Sequence, residues 1–504
     1  MKLKLFITSL ILIFLTSHVF AQDGLRTMFL NNKCVICGIN IRNFNSKDTN
    51  GNGIIDNDEE SGNFINAIDR LDEIKELGIN TLHILPITPV GKLKALGTAG
   101  SLYAISDFTE INEQLLSKTS KLNGKEQAKL FINECHKRGI KVIIDLPSCG
   151  SYDLFLKRPE LFIKDDKQLS IVPTDWTDVR LLKTGDNDKL NQDLLNEHKK
   201  FVDMVLDLGA DGIRADVATI KPYKFWEEII DYTRAKNPEF MYLAEASDSW
   251  REPPSEYAQF TPYDKLLDAG FDGYYGSFFE LKEWKTSGEL IEHIKFNKKL
   301  LSSYDEGKSV ILSFTTHDEV SPIVLHGKNF SNMICWLEAT LPYNPYIIDG
   351  FQLGDDYIYP WANEKASKTQ TDDDFYFVHR GKIDIFNFSR KPAGSGEIDY
   401  KAAIDFRNKY IDIVTLGSFV PIKTDNNKIF AYARCYEGKT IVVIGNLDYE
   451  NKYKKTTIRL SGLNKRRNIE FIKGSNNLRY RIRKIYTDLE PGETKVLLIN
   501  DFSI

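Results

Sequence analysis

The chain is poor in cysteine, carries no surplus of basic charge, has no long apolar run beyond its first residues and shows no repeats, and each of these shortfalls excludes something. Six cysteines (34, 37, 135, 149, 335 and 435) in 504 residues do not make a disulfide scaffold, although an exported protein could hold a bridge. A net charge of −5, with both signs scattered along the whole length, offers no basic stripe for a phosphate backbone and no polybasic membrane patch. Nucleic acid is therefore not an expected partner. Past the N-terminus no segment is apolar enough to span a bilayer. No low-complexity tract interrupts an ordinary globular composition of 42% hydrophobic and 27% charged residues, enough for a large core and one or two accessory domains.

What is present begins with Lys2, Lys4, an apolar run from Leu5 to Leu15, and the small-residue ending Val19-Phe20-Ala21 before Gln22. This predicts a cleavable signal peptide over 1–21 and a secreted or periplasmic protein. Cys34 and Cys37 have CxxC spacing, but they lie in an apolar run read as a strand, where residues three apart face opposite sides. They read as core cysteines rather than a metal or redox pair.

Short apolar runs recur at 34–42, 80–86, 140–146, 211–216, 241–245, 271–275, 309–315 and 346–349, separated by helical or loop stretches. Eight βα units predict a closed (β/α)8 barrel. Phe64, Ile68, Leu71, Ile74 and Leu77 follow helical spacing, as do Phe201, Val205 and Leu208, with Gly78 and Gly209 placed as C-terminal stops. The span 147–195 is too long for a loop and reads as a small inserted subdomain within a catalytic barrel of 22–400. Beyond it, 401–504 turns to short alternating runs such as KIFAYARCYE and TIVVIGNLDY, a C-terminal antiparallel β-sandwich. Its aromatics Tyr432 and Tyr436 are read as exposed and able to touch polysaccharide, unless the domain only covers the barrel's flank.

Three predicted strand ends carry acids: Asp216 in GIRADVA, Glu245 in YLAEAS and Asp318 in FTTHDEV. Glycoside cleavage with retention needs two carboxyl groups about 5 Å apart, one ionised and one protonated. Neighbouring barrel strands can supply them. Arg214, two residues before Asp216, shares its face and is expected to keep that carboxylate ionised.

In this ordered set the sequence resembles the α-amylase family of glycoside hydrolases over nearly all of the mature chain. The blocks are Gly212, Arg214 and Asp216; Glu245; His317 and Asp318; and the segment ATLPYNPYIIDGFQLGDD, with about 30 and 70 residues between successive acids. The resemblance implies Asp216 as nucleophile, Glu245 as general acid then base, and Asp318 as the residue that grips sugar hydroxyls. It implies support from Arg214 and His317, and a sugar-stacking role for Tyr103 in GSLYAISDF. One block departs: where the family has D-x-V-x-N-H, its Asn binding a structural calcium and its His touching substrate, this chain reads Asp145-Leu-Pro-Ser-Cys149-Gly150. IKPYKFWEEII and KRPELFIKDD look like segments of the superfamily's glucan maltosyltransferases, so transfer stands beside hydrolysis. A non-catalytic carbohydrate-binding relative would show a damaged triad, whereas all three acids and Arg214 are here.

A second motif runs from Asp48 to Glu59 and matches the calcium-loop template, with oxygen side chains at positions one, three and five, Gly at six and Glu at twelve. The preceding run reads as strand, so it is not a paired EF-hand. Similarity to amylase-family loops implies a structural Ca2+ held by Asp48, Asn50, Asn52, the Ile54 carbonyl and Asp56.

Overall fold

The computed structural model describes residues 23–50, 58–95, 100–173, 176–356, 359–362, 375–378, 398–461, 468–474 and 477–502. The predicted signal peptide lies outside them, as do Asn52, Ile54 and Asp56. The first ten strands are β1 (Ile36–Ile39), β2 (Thr81–Ile84), β3 (Lys141–Leu146), β4 (Cys149–Ser151), β5 (Val179–Leu181), β6 (Gly212–Ala215), β7 (Met241–Ala244), β8 (Gly273–Tyr274), β9 (Ser309–Leu312) and β10 (Asn344–Ile348). All but β4 and β5 pair in parallel and close into an eight-stranded barrel in the order β1-β10-β9-β8-β7-β6-β3-β2. A parallel strand covered on both faces has no polar side to show, so these runs read as apolar throughout.

Alternation along the strands divides the core. Cys34, Ile36, Ile143, Met241, Leu243, Ile311 and Tyr346 fill the interior together with Leu25, Met28 and Phe29 of the helix Leu25–Leu30. Val35, Cys37 and Ile39 pack outward among the helices. Cys34 and Cys37 thus face opposite sides of the sheet, and all six cysteines are buried and unbridged. The run 34–42 yields a shorter strand than its length suggested, because the Asn40 side chain accepts the Arg42 N–H and starts the helix Ile41–Phe44.

The helix Gln192–Leu208 buries Leu194, Leu195, Phe201, Val205 and Leu208 along one stripe. Asn191 caps its start, and Gly209, at φ +90°, ends it in the left-handed conformation. Between β3 and this helix, β4 pairs antiparallel with β5. That excursion brings Trp176 and Asp178 over the barrel's C-terminal mouth.

The remaining strands are β11 (Tyr359–Ala362), β12 (Phe375–Val378), β13 (Ser418–Pro421), β14 (Ile429–Tyr436), β15 (Lys439–Asn446), β16 (Tyr453–Arg459), β17 (Ile469–Lys473), β18 (Arg479–Arg481), β19 (Lys484–Leu489) and β20 (Thr494–Asn500). β11 and β12 pair with each other; the rest form a five-stranded sheet, β13-β14-β15-β20-β17, and a three-stranded sheet, β16-β19-β18. Ile429, Ala431, Val442, Leu497 and Ile499 meet Ile458, Ile485 and Leu489 between them.

The other face of β14 packs on the barrel, so Tyr432 is fully buried, not exposed, and its hydroxyl lies 2.7 Å from Thr340 Oγ1. Alternation along β14 separates two cores rather than core from solvent. Tyr436 is half-buried. No helix among the described residues is long and apolar enough to cross a membrane.

Candidate active site

At the C-terminal mouth, β6 turns Arg214 and Asp216 inward while Ile213 and Ala215 pack outward. Arg214 is fully buried and meets three carboxylates. Its Nη1 donates to Asp145 Oδ1 and Oδ2 at 2.9 and 3.0 Å and to Asp216 Oδ1 at 3.2 Å. Its Nη2 lies 2.8 Å from Glu245 Oε1. Nε donates to the Tyr275 hydroxyl at 3.0 Å, which fixes the plane of the guanidinium.

Asp145, at the end of β3, also accepts the Tyr103 hydroxyl at 3.0 Å and sits 3.2 Å from His83 Nε2. Burial works to raise its pKa, but the Arg214 charge and the His83 contact outweigh it and hold the carboxyl below its ordinary value.

The two acids assigned to bond cleavage sit differently. Burial pushes Glu245 up to about 8; Arg214 opposes this, and the Asp216 and Asp318 charges add to it. Burial also raises Asp216, against the pull of Arg214 and of the Ser148 N–H, which reaches Asp216 Oδ2 at 2.9 Å. Arg214 does pull the Asp216 pKa down, but one guanidinium is shared among three acids in a buried site, and desolvation outweighs its share. Glu245 at about 8 is the member that keeps its proton at neutral pH.

The backbone joins them. Val217 follows Asp216 with φ +32° and ψ +56°, a left-handed conformation costly for a β-branched residue. That turn aims the Val217 N–H at Glu245 Oε2, 2.6 Å away.

His317 and Asp318 follow β9. The His317 ring stacks on Tyr103 with centroids 5.8 Å apart and an interplanar angle of 14°, and its Nε2 is 2.8 Å from the Tyr103 hydroxyl. Asp318 N–H donates to Thr316 Oγ1 at 3.1 Å, and its carboxylate opens on the cavity. The six residues expected to act on or hold the sugar therefore gather here: Asp216, Glu245, Asp318, His317 and Tyr103 line one cavity of about 390 Å3, with Arg214 beneath them.

Sequence reading assigned no role to Asp145, Ser148, Lys221, Trp176 or Trp250, all of which belong to this region. Trp176 and Trp250 line the cavity. With six tryptophans in the chain, two in polar loop sequence were a usable signal for sugar-face contacts. Cys149 also lines the cavity, but burial pushes its thiol up to about 12, which leaves it neutral and unreactive.

In the Asp48–Glu59 motif, Glu59 Oε1 accepts the Thr49 and Asn50 N–H groups at 2.6 and 3.2 Å. Glu59 thus ties down the start of the motif. Asp48 and Asn50 are the two described members of the predicted ligand set, an all-oxygen set that suits a hard cation.

A model of the alpha amylase catalytic domain matches residues 41–148. Among curated relatives, Alpha-amylase 3 of Dictyoglomus thermophilum is 24% identical over 77% of this chain and 81% of its own length. An alpha-1,4-glucan:maltose-1-phosphate maltosyltransferase of Picrophilus torridus is 25% identical over 77% of this chain and 59% of its own length. The solved structure of an alpha-amylase from Lactobacillus plantarum superposes with a TM-score of 0.67 at 20% identity, covering 93% of this chain and 99% of that one.

Proposed function

We propose that this chain, which is similar to α-amylase family enzymes, is a retaining glycosidase acting on α-glucosidic bonds of α-glucans or malto-oligosaccharides. The observation that carries the reading is the Arg214 guanidinium touching both Asp216 and Glu245, with Glu245 raised to about 8. A shared guanidinium keeps the two carboxyl groups close neighbours, as double displacement requires.

Asp216 attacks the anomeric carbon as Glu245 gives its proton to the departing glycosidic oxygen, leaving a covalent glycosyl ester on Asp216 and a carboxylate on Glu245. Water enters, Glu245 takes its proton, and the ester bond to Asp216 breaks with the sugar's α configuration restored. Asp318 grips sugar hydroxyls, His317 and Tyr103 hold the ring that faces them, and Arg214 positions both acids.

A second reading, transfer of the glycosyl or maltosyl unit, is favoured by the similarity to a maltosyltransferase. In it a sugar hydroxyl replaces water in the second step, with the same residues in the same roles. The test is incubation with maltoheptaose with and without a second acceptor sugar. Shorter products from the wild type and none from Asp216→Asn support hydrolysis, and longer products identify the transferase. Saccharide binding without turnover on linear and branched α-glucosides would instead mark a non-catalytic binding protein.

Two further parts of the reading rest on the sequence. The Asp48, Asn50, Asn52, Ile54 and Asp56 set holds a structural Ca2+ that ties the loop after β1, and the signal-like N-terminus directs the protein to the periplasm or the medium.

A further inference from the structure

Lys221 is fully buried, five residues after Asp216, at the end of the short turn Ala218–Ile220. A buried ammonium ordinarily has a carboxylate against it. Here, among the described residues, its hydrogen-bond partner is the Ser148 carbonyl at 3.0 Å. Its Nζ also lies 5.9 Å from the centre of the Trp226 ring. Ser148 is gripped from its other side by the nucleophile: its N–H donates to Asp216 Oδ2 at 2.9 Å, and its Oγ donates to the Asp216 carbonyl. The chain thus runs from cation to Ser148 to carboxylate, inside the block where the sequence departs from its family's pattern.

We propose that Lys221 is a positioning residue for Asp216, holding Ser148 so that its amide meets the carboxylate and supplying the internal positive charge that Arg214, shared with Asp145 and Glu245, cannot supply alone. This rests on the assignment of Asp216 as nucleophile. The groups facing Asp216 are Arg214 on its own strand, Asp145 and Cys149 from the β3 side, Glu245 after β7, Tyr103, Asp318 and Lys221 itself. Of these, Arg214 and Lys221 are the cations that favour the ionised form. Those facing Lys221 are the Cys149 thiol, the Asp216 carboxylate and the buried His198 imidazole, which burial and the Lys221 charge keep neutral. Burial depresses the Lys221 ammonium to about 8, so it stays charged through neutral pH.

The test is carbon-13 carboxyl titration of Asp216, its signal identified by loss in Asp216→Asn, in the wild type, Lys221→Met and Lys221→Gln. Gln keeps a donor for the Ser148 carbonyl while removing the charge. Both variants are expected to raise the Asp216 midpoint by roughly one pH unit. They should shift the acid limb of kcat/KM the same way and lower kcat about ten-fold with KM little changed. Thr261→Val serves as the packing control, since Thr261 Oγ1 donates to the Lys221 carbonyl at 2.7 Å and carries no charge. It should lower the melting temperature and leave the midpoint in place. An unmoved midpoint in the folded Lys221 variants, or an equal shift in Thr261→Val, overturns the proposal. A shifted midpoint in a protein that cleaves no glucan would leave Lys221 in its role and remove the proposed activity instead.

Discussion

Asp145 holds the buried Arg214 guanidinium through one nitrogen, at 2.9 and 3.0 Å, and in doing so fixes the cation that Asp216 and Glu245 both lean on. Both side chains are wholly removed from solvent. Breaking a buried pair by neutralising one partner costs about 3–5 kcal/mol when the other charge is left alone; Asp216 and Glu245 still face Arg214, which puts the cost here near the lower end, about 3 kcal/mol. Asp145→Asn is therefore expected to lower the unfolding free energy by about that amount. It should also depress activity, which denaturant unfolding and kcat/KM at neutral pH would measure together. A variant with wild-type stability would show that Arg214 does not depend on Asp145.

The pH profile follows from Glu245. As general acid it works protonated, and burial places its pKa at about 8. Activity is expected to hold through neutral pH and fall as pH rises through that value. Because Asp216 and Glu245 interact, the limbs of the profile belong to the pair. With an activated aryl glycoside, whose leaving group needs little protonation, Glu245→Gln should retain the first step, seen as a burst of released phenol, lose the alkaline limb of kcat/KM, and turn over slowly because the base of the second step is gone. An alkaline limb unchanged in that variant would assign the proton to another group.

Glu338 supplies a stability prediction away from the chemistry. It is fully buried on the helix Pro322–Thr340, and burial raises its pKa well above the ordinary value of 4.5. The fold therefore keeps a proton that the unfolded chain releases above about 4.5. Its contribution is complete below that pH and declines as pH rises. Glu338→Gln removes this dependence, so the variant is expected to gain about 1.4 kcal/mol on the wild type for each pH unit above 5. Urea unfolding at pH 5, 6 and 7 measures it, and a constant difference would show that Glu338 is ionised in the fold.

The metal prediction separates stability from chemistry. Chelation at low ambient calcium should lower the melting temperature and leave the initial rate at moderate temperature intact, since the loop after β1 supplies no member of the triad. Asp56→Ala should abolish the chelator's effect. An unchanged melting temperature on chelation would remove the ion from the account.

Much of this was legible in the residues. The eight barrel runs stood out because strands covered on both faces must be apolar, and the three acids stood out as polar ends on such runs. The helix Leu25–Leu30 did not, because a six-residue plug has too few turns to show a period. Tyr432 was misplaced since alternation tells one face from the other but not what covers each. Arg214 was found, but its sharing among Asp145, Asp216 and Glu245 depends on β3, β6 and β7 lying side by side, a contact between residues 69 apart in the chain. Ser148 and Lys221 belong to the same class: small or buried groups whose role is set by a hydrogen bond 73 residues long in sequence.

Double displacement by Asp216 and Glu245 is tested most directly by proton NMR of the first anomer released from maltoheptaose before mutarotation. The α anomer is expected from the wild type and no release from Asp216→Asn. Initial release of the β anomer would contradict double displacement, since that outcome requires a single inversion and leaves Asp216 no nucleophilic role.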